Sequence, residues 1–200
     1  MSRALQMAGW QTVLVEPGSG AFNASKRGQS QVIQATLDTS GIKPNTVSSA
    51  GAFDVIEHIN DHDDFTSSVH QILKPGGRFY VTVPAYRFLW SVEDVEAGHY
   101  RRYTKQSLSE LLSRNDFEVE YIGYLFSFLV LPIFLLRSLP SRIGLRRSAS
   151  IDTKKREHSS DGGVGSRLLN RSLSPEIRKI SEGKSIPFGS SVVAVARKPV

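Results

Sequence analysis

The chain has 200 residues, 40% of them hydrophobic and 22% charged, a composition that fits a single globular domain with its own core. It contains no cysteine, which excludes disulfide bonds, thiolate metal ligands and a cysteine nucleophile. The absence of cysteine is compatible with a reducing compartment. Residues 1–10 lack the apolar stretch of a signal peptide, so the sequence predicts a cytoplasmic protein.

The positive charge of the chain is concentrated in one segment. Residues 137–179 contain eleven Lys or Arg and four Asp or Glu, which gives this segment +7, while the rest of the chain carries −1 of the total of +6. A fold that binds nucleic acid usually spreads positive charge over its folded surface. The distribution therefore favours a solvated loop or contact with anionic lipid headgroups over nucleic acid.

Strands and helices are predicted to alternate along the chain. Strands are expected at 12–15, 31–35, 46–53, 78–83, 117–124 and 191–197. Helices are expected at 23–27, from a cap at Asp63 or Asp64 to Gly76-Gly77, from a cap at Thr104, and at 164–180. This alternation predicts an α/β fold with a mostly parallel sheet, whose ligands bind outside the carboxyl ends of the strands.

Chemically informative residues follow two of these strand ends. Glu16 ends the first predicted strand, where a carboxylate can accept hydrogen bonds from ribose hydroxyls; a solvated turn residue is the alternative. Asp54 ends a strand of small residues that lets a flat ligand approach the backbone, and His58 lies one helical turn further. An imidazole with a pKa near 6.5 is a candidate general base, although a helix-capping or surface role also explains His58.

Aromatic and basic residues are clustered between the fourth predicted strand, 78–83, and the next helix. Residues 86–90 and 98–104 contain tyrosines, arginines and His99, and such a mixture suits a lid or an acceptor pocket. Stacking on single-stranded nucleic acid is the alternative, but the segment is too short for a groove that follows a strand.

Taken together, these motifs resemble class I S-adenosylmethionine-dependent methyltransferases. The resemblance rests on the order and spacing of five motifs: DVIEHI at 54–59, LKPGGR at 73–78, TVPA at 82–85, LWS at 89–91 and GHYRRYT at 98–104. The closing segment 187–199 also looks like the end of this family, so the resemblance covers nearly the whole chain. It implies a Rossmann-like sheet of seven strands, the last antiparallel, in a single domain spanning 1–200.

The resemblance also implies a cofactor and site residues. The cofactor would be S-adenosylmethionine, bound across the carboxyl edge of the sheet. Catalysis would involve His58 as base, with His99, Tyr103 and Arg101 shaping the acceptor pocket. Thr36 stands where many members have an adenine-contacting Asp, and Leu37 could still pack on the ring. The cofactor-binding positions implied are Glu16, Pro17, Thr36, Leu37, Phe53 and Asp54. No metal is implied.

One expected feature of the family is not found. Members begin with a strand and a Gly-x-Gly-x-Gly loop, whereas here the early glycines Gly18 and Gly20 follow the second strand of the family pattern. We therefore expect an amino-terminally truncated sheet, from a fragment or a misplaced start codon, and poor binding of S-adenosylmethionine by this chain. A catalytically silent module that binds a partner or a membrane surface is the alternative function.

The acceptor is only weakly indicated. The run 125–136 is twelve residues with one polar side chain, too short for the roughly 20 residues of a transmembrane helix, and basic residues follow it. With the basic segment it forms an insertion, 125–182, before the last strand. An apolar lid would suit a small-molecule or lipid-like acceptor. An interfacial element would suit peripheral contact of 125–147 with the inner membrane face. Packing on the sheet or on a partner chain is equally compatible, and the sequence does not indicate an oligomeric state.

Overall fold

The computed structural model describes residues 2–26, 31–145 and 164–200, and these contain six strands and eight α-helical segments. The strands are β1 (Val13–Val15), β2 (Gln31–Ile33), β3 (Val47–Phe53), β4 (Leu73–Pro84), β5 (Glu118–Leu125) and β6 (Ser191–Arg197). The helices are α1 (Ser2–Met7), α2 (Gly20–Lys26), α3 (His62–Ile72), α4 (Val92–Ala97), α5 (Lys105–Arg114), α6 (Val130–Ile133), α7 (Leu139–Arg142) and α8 (Val164–Ser181). Single 3-10 turns lie at Ile56–His58, Arg87–Leu89 and Ser127–Leu129.

The strands form a two-stranded and a four-stranded sheet. In the first, β1 pairs in parallel with β2; in the second, the order is β3-β4-β6-β5. Strands β3 and β4 are parallel, whereas β6 runs antiparallel to both β4 and β5. The prediction of a mostly parallel Rossmann-like sheet with an antiparallel last strand is confirmed.

The two sheets are separated at the position where the resemblance places the first strand of the family. Within the described residues, no strand bridges β1 and β3 by ladder hydrogen bonds. Both strands therefore present an unpaired edge to this gap, and unpaired backbone groups are costly wherever water is excluded. The incomplete sheet expected from the sequence is observed.

The core lies between the four-stranded sheet and the helices α3 and α5. Phe79, Val81 and Val83 alternate along β4 and are fully buried, while Tyr80 and Thr82 between them are partly exposed. The residues of β6 that pair with Phe79 and Val81 are small: Phe79 pairs with Ala196, and Val81 pairs with Ala194. Three fully buried leucines of α5 cover this face: Leu108, Leu111 and Leu112.

Two predicted boundaries of α3 were wrong. The helix is capped by Asp61, whose carboxylate accepts a hydrogen bond from the Asp64 N–H at 3.0 Å, because Asp63 instead pairs with Arg114. It ends at Ile72, before the predicted glycines. Residues 74–77 bulge out of the ladder, since Leu73 pairs with Val47 and the next pair is already Arg78 with Ser49. Thr104 caps α5 as predicted, accepting from the Ser107 N–H.

The apolar run forms a chain of short helical turns between β5 and residue 145. These are the turn Ser127–Leu129, α6, a π turn at Phe134–Ser138 and α7. Glu176 of α8 fixes the start of the segment by accepting hydrogen bonds from the backbone N–H groups of Phe126 (2.7 Å) and Ser127 (2.8 Å). In the described part of the chain, no helix combines the length and apolarity needed to cross a bilayer. The predicted basic residues between 146 and 163 lie outside the described residues.

Candidate active site at the carboxyl edge of the sheet

The backbone is strained where three strands of the four-stranded sheet end. Asp54 follows β3 with φ +53°, Tyr86 follows β4 with φ +55°, and Phe126 follows β5 with φ +61°. Left-handed conformations are uncommon for residues other than glycine, and they concentrate at functional sites. The strain therefore marks the same edge at which the sequence predicted a ligand site.

Asp54 is fixed to the neighbouring strand. Its N–H donates to the Thr82 carbonyl at 2.9 Å, and the Thr82 hydroxyl lies 3.4 Å from one carboxylate oxygen. The side chain reaches solvent, but desolvation by the surrounding protein raises the pKa of Asp54. The Thr82 hydrogen bond and the nearby His99 and His58 oppose this shift. Asp54 and both histidines thus belong to one electrostatic cluster.

Glu57 is the buried member of this cluster. Its exposed fraction is 1%, and the Oε2 atom has no hydrogen-bond partner. Desolvation raises the pKa of Glu57 to about 7, and the nearby Asp54 charge adds to the shift. The backbone carbonyl of Glu57 accepts from the Tyr100 N–H at 2.8 Å, which ties the turn Ile56–His58 to the segment that carries His99.

His99 is held by a buried carboxylate. Its Nδ1 lies 2.8 Å from Asp94 Oδ1, so this nitrogen carries the hydrogen and Nε2 is left for a ligand. Asp94 is 1% exposed and accepts two hydrogen bonds from Arg102, at 2.7 and 3.0 Å. Burial alone would raise the pKa of Asp94, but the bonds from Arg102, His99 and Ser91 more than offset it and leave the pKa lowered. The His58 ring stands edge-on to His99, with 4.6 Å between centroids.

Tyr103, the third predicted catalytic residue, is buried. Its exposed fraction is 2%, and its hydroxyl lies 2.8 Å from His62 Nδ1. Burial raises the pKa of Tyr103 to about 12. The Tyr103 N–H donates a hydrogen bond to the Pro84 carbonyl, and the Tyr103 carbonyl accepts one from the Tyr86 N–H. These bonds fix the loop between α4 and α5 to the end of β4. Arg101 donates to the Asn60 carbonyl at 2.7 Å and so links the same loop to the start of α3.

An aromatic row leads from this edge to the helical segment after β5. Tyr86 stacks on Tyr124 with 4.9 Å between centroids and on Phe88 with 5.1 Å. Phe88 in turn meets Phe134 edge-on at 6.0 Å and is 43% exposed. The row provides an apolar surface between the strand ends and the segment 127–142.

The predicted cofactor-side residues are divided between the two sheets. Glu16 ends β1, and its Oε1 accepts from the Gly18 N–H at 3.0 Å. A Cβ at position 18 would lie 3.1 Å from that oxygen, so a larger residue there would displace the Glu16 carboxylate by a few tenths of an ångström. Pro17 and Thr36 are exposed, and the Thr36 hydroxyl bonds to Thr39. Leu37 packs on the core and lines a cavity of about 340 Å³ that α3 closes, while Phe53 is half-buried at the end of β3.

The comparisons with known proteins agree with this architecture. The model of a family described as Methyltransferase domain matches residues 1–122. An S-adenosylmethionine-dependent methyltransferase from Archaeoglobus fulgidus matches with a TM-score of 0.60 and 13% identity, over 98% of this chain and 80% of that one. A second S-adenosylmethionine-dependent methyltransferase, from Thermotoga maritima, matches with a TM-score of 0.55 and 16% identity. This match covers 94% of this chain and 72% of that one. No curated protein sequence matches the chain.

Fold and site together define a class I methyltransferase. The chain belongs to the methyltransferase-domain family, because that family's model matches more than half of its length. It is an S-adenosylmethionine-dependent methyltransferase by family, with S-adenosylmethionine as its cofactor. A further structural neighbour, Haemonchus contortus phosphoethanolamine N-methyltransferase 2, was solved with this cofactor; it matches with a TM-score of 0.53 and 18% identity, over 98% of this chain and 46% of that one.

The donor groups at the strand ends fit this cofactor chemically. Carboxylates at the ends of β1 and β3, Glu16 and Asp54, suit a ligand that carries ribose hydroxyls and an ammonium group. The structure brings Asp54, His58 and His99 together, whereas Tyr103 is engaged with His62. Sequence reasoning missed Glu57, although it adjoins His58, and it missed Asp94 and Arg102. The capping pattern of Ser91 and Asp94 at the start of α4 was a signal for Asp94.

Proposed function

We propose that the chain transfers the methyl group to a small-molecule or lipid-like acceptor whose reacting hydroxyl meets His58 and His99. The observation that carries the proposal is the His58–His99 pair, with His99 oriented by buried Asp94, at the same edge as Asp54. Bound S-adenosylmethionine supplies an electrophilic methyl group on its sulfonium. The protein would hold it through Glu16, Pro17, Thr36, Leu37, Phe53 and Asp54.

Proton transfer is the task of the histidine pair. Nε2 of His99, or the ring of His58 as the sequence suggested, accepts the proton of the acceptor hydroxyl as its oxygen takes the methyl group and the sulfonium becomes a neutral thioether. Asp94 keeps the hydrogen of His99 on Nδ1 and stabilises the imidazolium that forms, while Arg102 keeps Asp94 ionised. Tyr103 and Arg101 shape the surrounding loop.

The apolar surface beside the pair favours a lipid-like acceptor such as an isoprenoid phenol. The aromatic row from Tyr124 to Phe134 lies against the helical segment 127–142. That segment and the residue after it expose a series of large apolar side chains: Leu131 (64%), Leu135 (47%), Leu136 (69%), Leu139 (39%) and Ile143 (60%). An acceptor with a long hydrocarbon tail would cover apolar surface that otherwise faces water.

The catalytic proposal is tested by transfer of tritium from labelled S-adenosylmethionine to a panel of phenols with and without isoprenoid tails. His58→Gln and His99→Gln are measured separately, and the variant of the base should lose about 100-fold or more in turnover. His70→Gln is the control, because His70 packs on Phe117 at the far end of α3. If neither variant loses activity relative to His70→Gln, the histidine pair is not the base.

A second candidate function is binding to a membrane surface through 125–147, as a catalytically silent module. The exposed apolar side chains of the helical segment together with Arg142 favour it. Co-sedimentation with phosphatidylglycerol vesicles tests it, with phosphatidylcholine vesicles as the neutral comparison. Leu136→Glu should abolish sedimentation, and Met7→Glu, which changes an exposed residue of α1, should not. Absence of binding to the anionic vesicles would remove the membrane proposal.

A further inference from the structure

A carboxylate and two imidazoles meet beside the carboxyl end of β3. Glu57 and His58 come from the turn Ile56–His58, and His99 comes from the loop after α4. One potential ligand atom from each of the three residues lies within 4.8 Å of the other two. In the described part of the chain, this is the one such group of three.

The buried carboxylate of this group requires a partner. Glu57 Oε2 is inaccessible to water and receives no hydrogen bond. A carboxylate in such a position carries a desolvation cost that only a proton or a cation can remove. Arg102, whose charge acts on Glu57, is already hydrogen-bonded to Asp94, so a cation shared with the two neighbouring imidazoles would satisfy the Glu57 carboxylate.

The histidines are arranged as ligands. His99 directs Nδ1 to Asp94 at 2.8 Å, so its Nε2 is the free coordinating atom. Asp94 is itself fixed by Arg102 and by the Ser91 N–H at 2.9 Å. A carboxylate behind a histidine is the usual outer support of a metal ligand, because it fixes the ring and increases its basicity. His58 is exposed and free to turn toward the same point.

We propose that Glu57, His58 and His99 bind a divalent transition-metal ion. Two imidazoles and one carboxylate favour Zn²⁺, Fe²⁺, Co²⁺ or Mn²⁺ over the oxygen-seeking Ca²⁺. Metal–ligand distances of about 2.0–2.2 Å require ligand atoms closer together than the 4.8 Å within which these three lie, and rotation of exposed His58 would bring its nitrogen closer to the other two. Three protein ligands leave open positions on the exposed side of the ion.

The metal site does not depend on the proposed methyl transfer, and with the ion bound the acceptor hydroxyl would be activated by the metal instead of by a histidine base. An ion at this point would lie beside Asp54, and its open positions would receive the oxygen of a hydroxyl acceptor and make that hydroxyl more acidic. In the metal-bound protein, His58 and His99 are then ligands, and the acceptor proton leaves to solvent. Metal binding is measured without cofactor or acceptor, so failure of methyl transfer and failure of the metal site are separate results.

The experiment uses the untagged full chain after treatment with EDTA and dialysis. Co²⁺ is titrated while visible absorption is recorded, and Zn²⁺ binding is measured by calorimetry. We expect one equivalent of each ion, with d–d bands of low coordination number for Co²⁺. Glu57→Gln and His99→Gln should each weaken Zn²⁺ binding by about 100-fold or more, beyond the 10–100-fold typical of losing an outer-shell partner.

His62→Gln is the matched control, because His62 lies close by but bonds to Tyr103 and is outside the cluster. It should bind Zn²⁺ as the wild type does. Thermal unfolding followed by circular dichroism in EDTA verifies that each variant is folded. Glu57→Gln conserves the shape of the side chain and removes a buried charge. This variant should therefore fold even if His99→Gln does not. Absence of one-equivalent binding in the wild type, or unchanged affinity in a folded Glu57→Gln, would overturn the proposal.

Discussion

Replacing Asp94 by Asn should destabilise the protein far more than the same change at a surface ion pair. Asp94 is 1% exposed and accepts from both Arg102 nitrogens, from His99 and from the Ser91 N–H. Asn offers a single acceptor oxygen, so at least two of these donors lose their partner, and Arg102, 11% exposed, stays charged without a counterion. Breaking a buried pair in this way costs about 3–5 kcal/mol.

Asp63 provides the matched control. Its carboxylate also accepts two hydrogen bonds from one arginine, Arg114, but the side chains are 46% and 48% exposed. Solvent screens this pair, so Asp63→Asn should cost less than about 1 kcal/mol. The arginine geometry of the two pairs is alike, so the comparison measures the effect of burial together with the further donors to Asp94, His99 and the Ser91 N–H.

The assay is thermal unfolding followed by circular dichroism at neutral pH, with EDTA present so that no bound metal contributes. For a chain of this size, about 2–4 °C of melting temperature corresponds to 1 kcal/mol, so Asp94→Asn should lower the midpoint by about 6–20 °C. Adding Arg102→Met should restore part of the loss, because it removes the unpaired buried charge. The reasoning would be refuted by equal costs for Asp94→Asn and Asp63→Asn, or by a double variant less stable than Asp94→Asn.

Three further outcomes are expected. Leu111→Ala, at a fully buried position, should cost about 2–5 kcal/mol in urea unfolding, whereas Leu136→Ala, at a residue 69% exposed, should cost almost nothing; similar costs would contradict the core described above. The hydrogen bonds from Arg114 lower the pKa of Asp63 to about 2, and carboxyl NMR should show this pKa return toward 3.8 in Arg114→Met. Because the folded pKa is depressed, the pair adds its small stabilisation above the unfolded pKa of about 3.9 and loses it as the pH falls through about 2; a normal pKa in the wild type would contradict the pairing. Calorimetry should give weak binding of S-adenosylmethionine, because no ladder fixes β1 against β3, and low-micromolar affinity would refute that expectation.

Strand β6 and helix α3 illustrate what could be predicted locally. The bounds predicted for β6, 191–197, match the structure, because alternating valines and alanines flanked by Ser190 and Lys198 leave little choice of register. The end of α3 was misplaced because Gly76-Gly77 is a normal helix stop in sequence, whereas in the fold residues 74–77 bulge from the ladder of β4. A bulge depends on the partner strand, which no local pattern contains.

The candidate site likewise has features that the sequence predicted and features that only the tertiary structure decided. The sequence alone determined that Glu16, Asp54 and His58 follow strand ends, since period-two runs and turn residues define where strands stop. It also indicated the family through the order of five motifs. Only the tertiary structure decided that His99 stands 4.6 Å from His58, that Asp94 and Arg102 are buried behind it, and that the Glu57 carboxylate lies beside both rings without a partner. These residues are separated by about forty positions along the chain, and their meeting depends on how the loop after α4 is fastened to β4 and to the turn Ile56–His58. Burial and pairing of charges are properties of that packing, which is why a carboxylate that reads as an ordinary surface residue in sequence becomes the centre of the site.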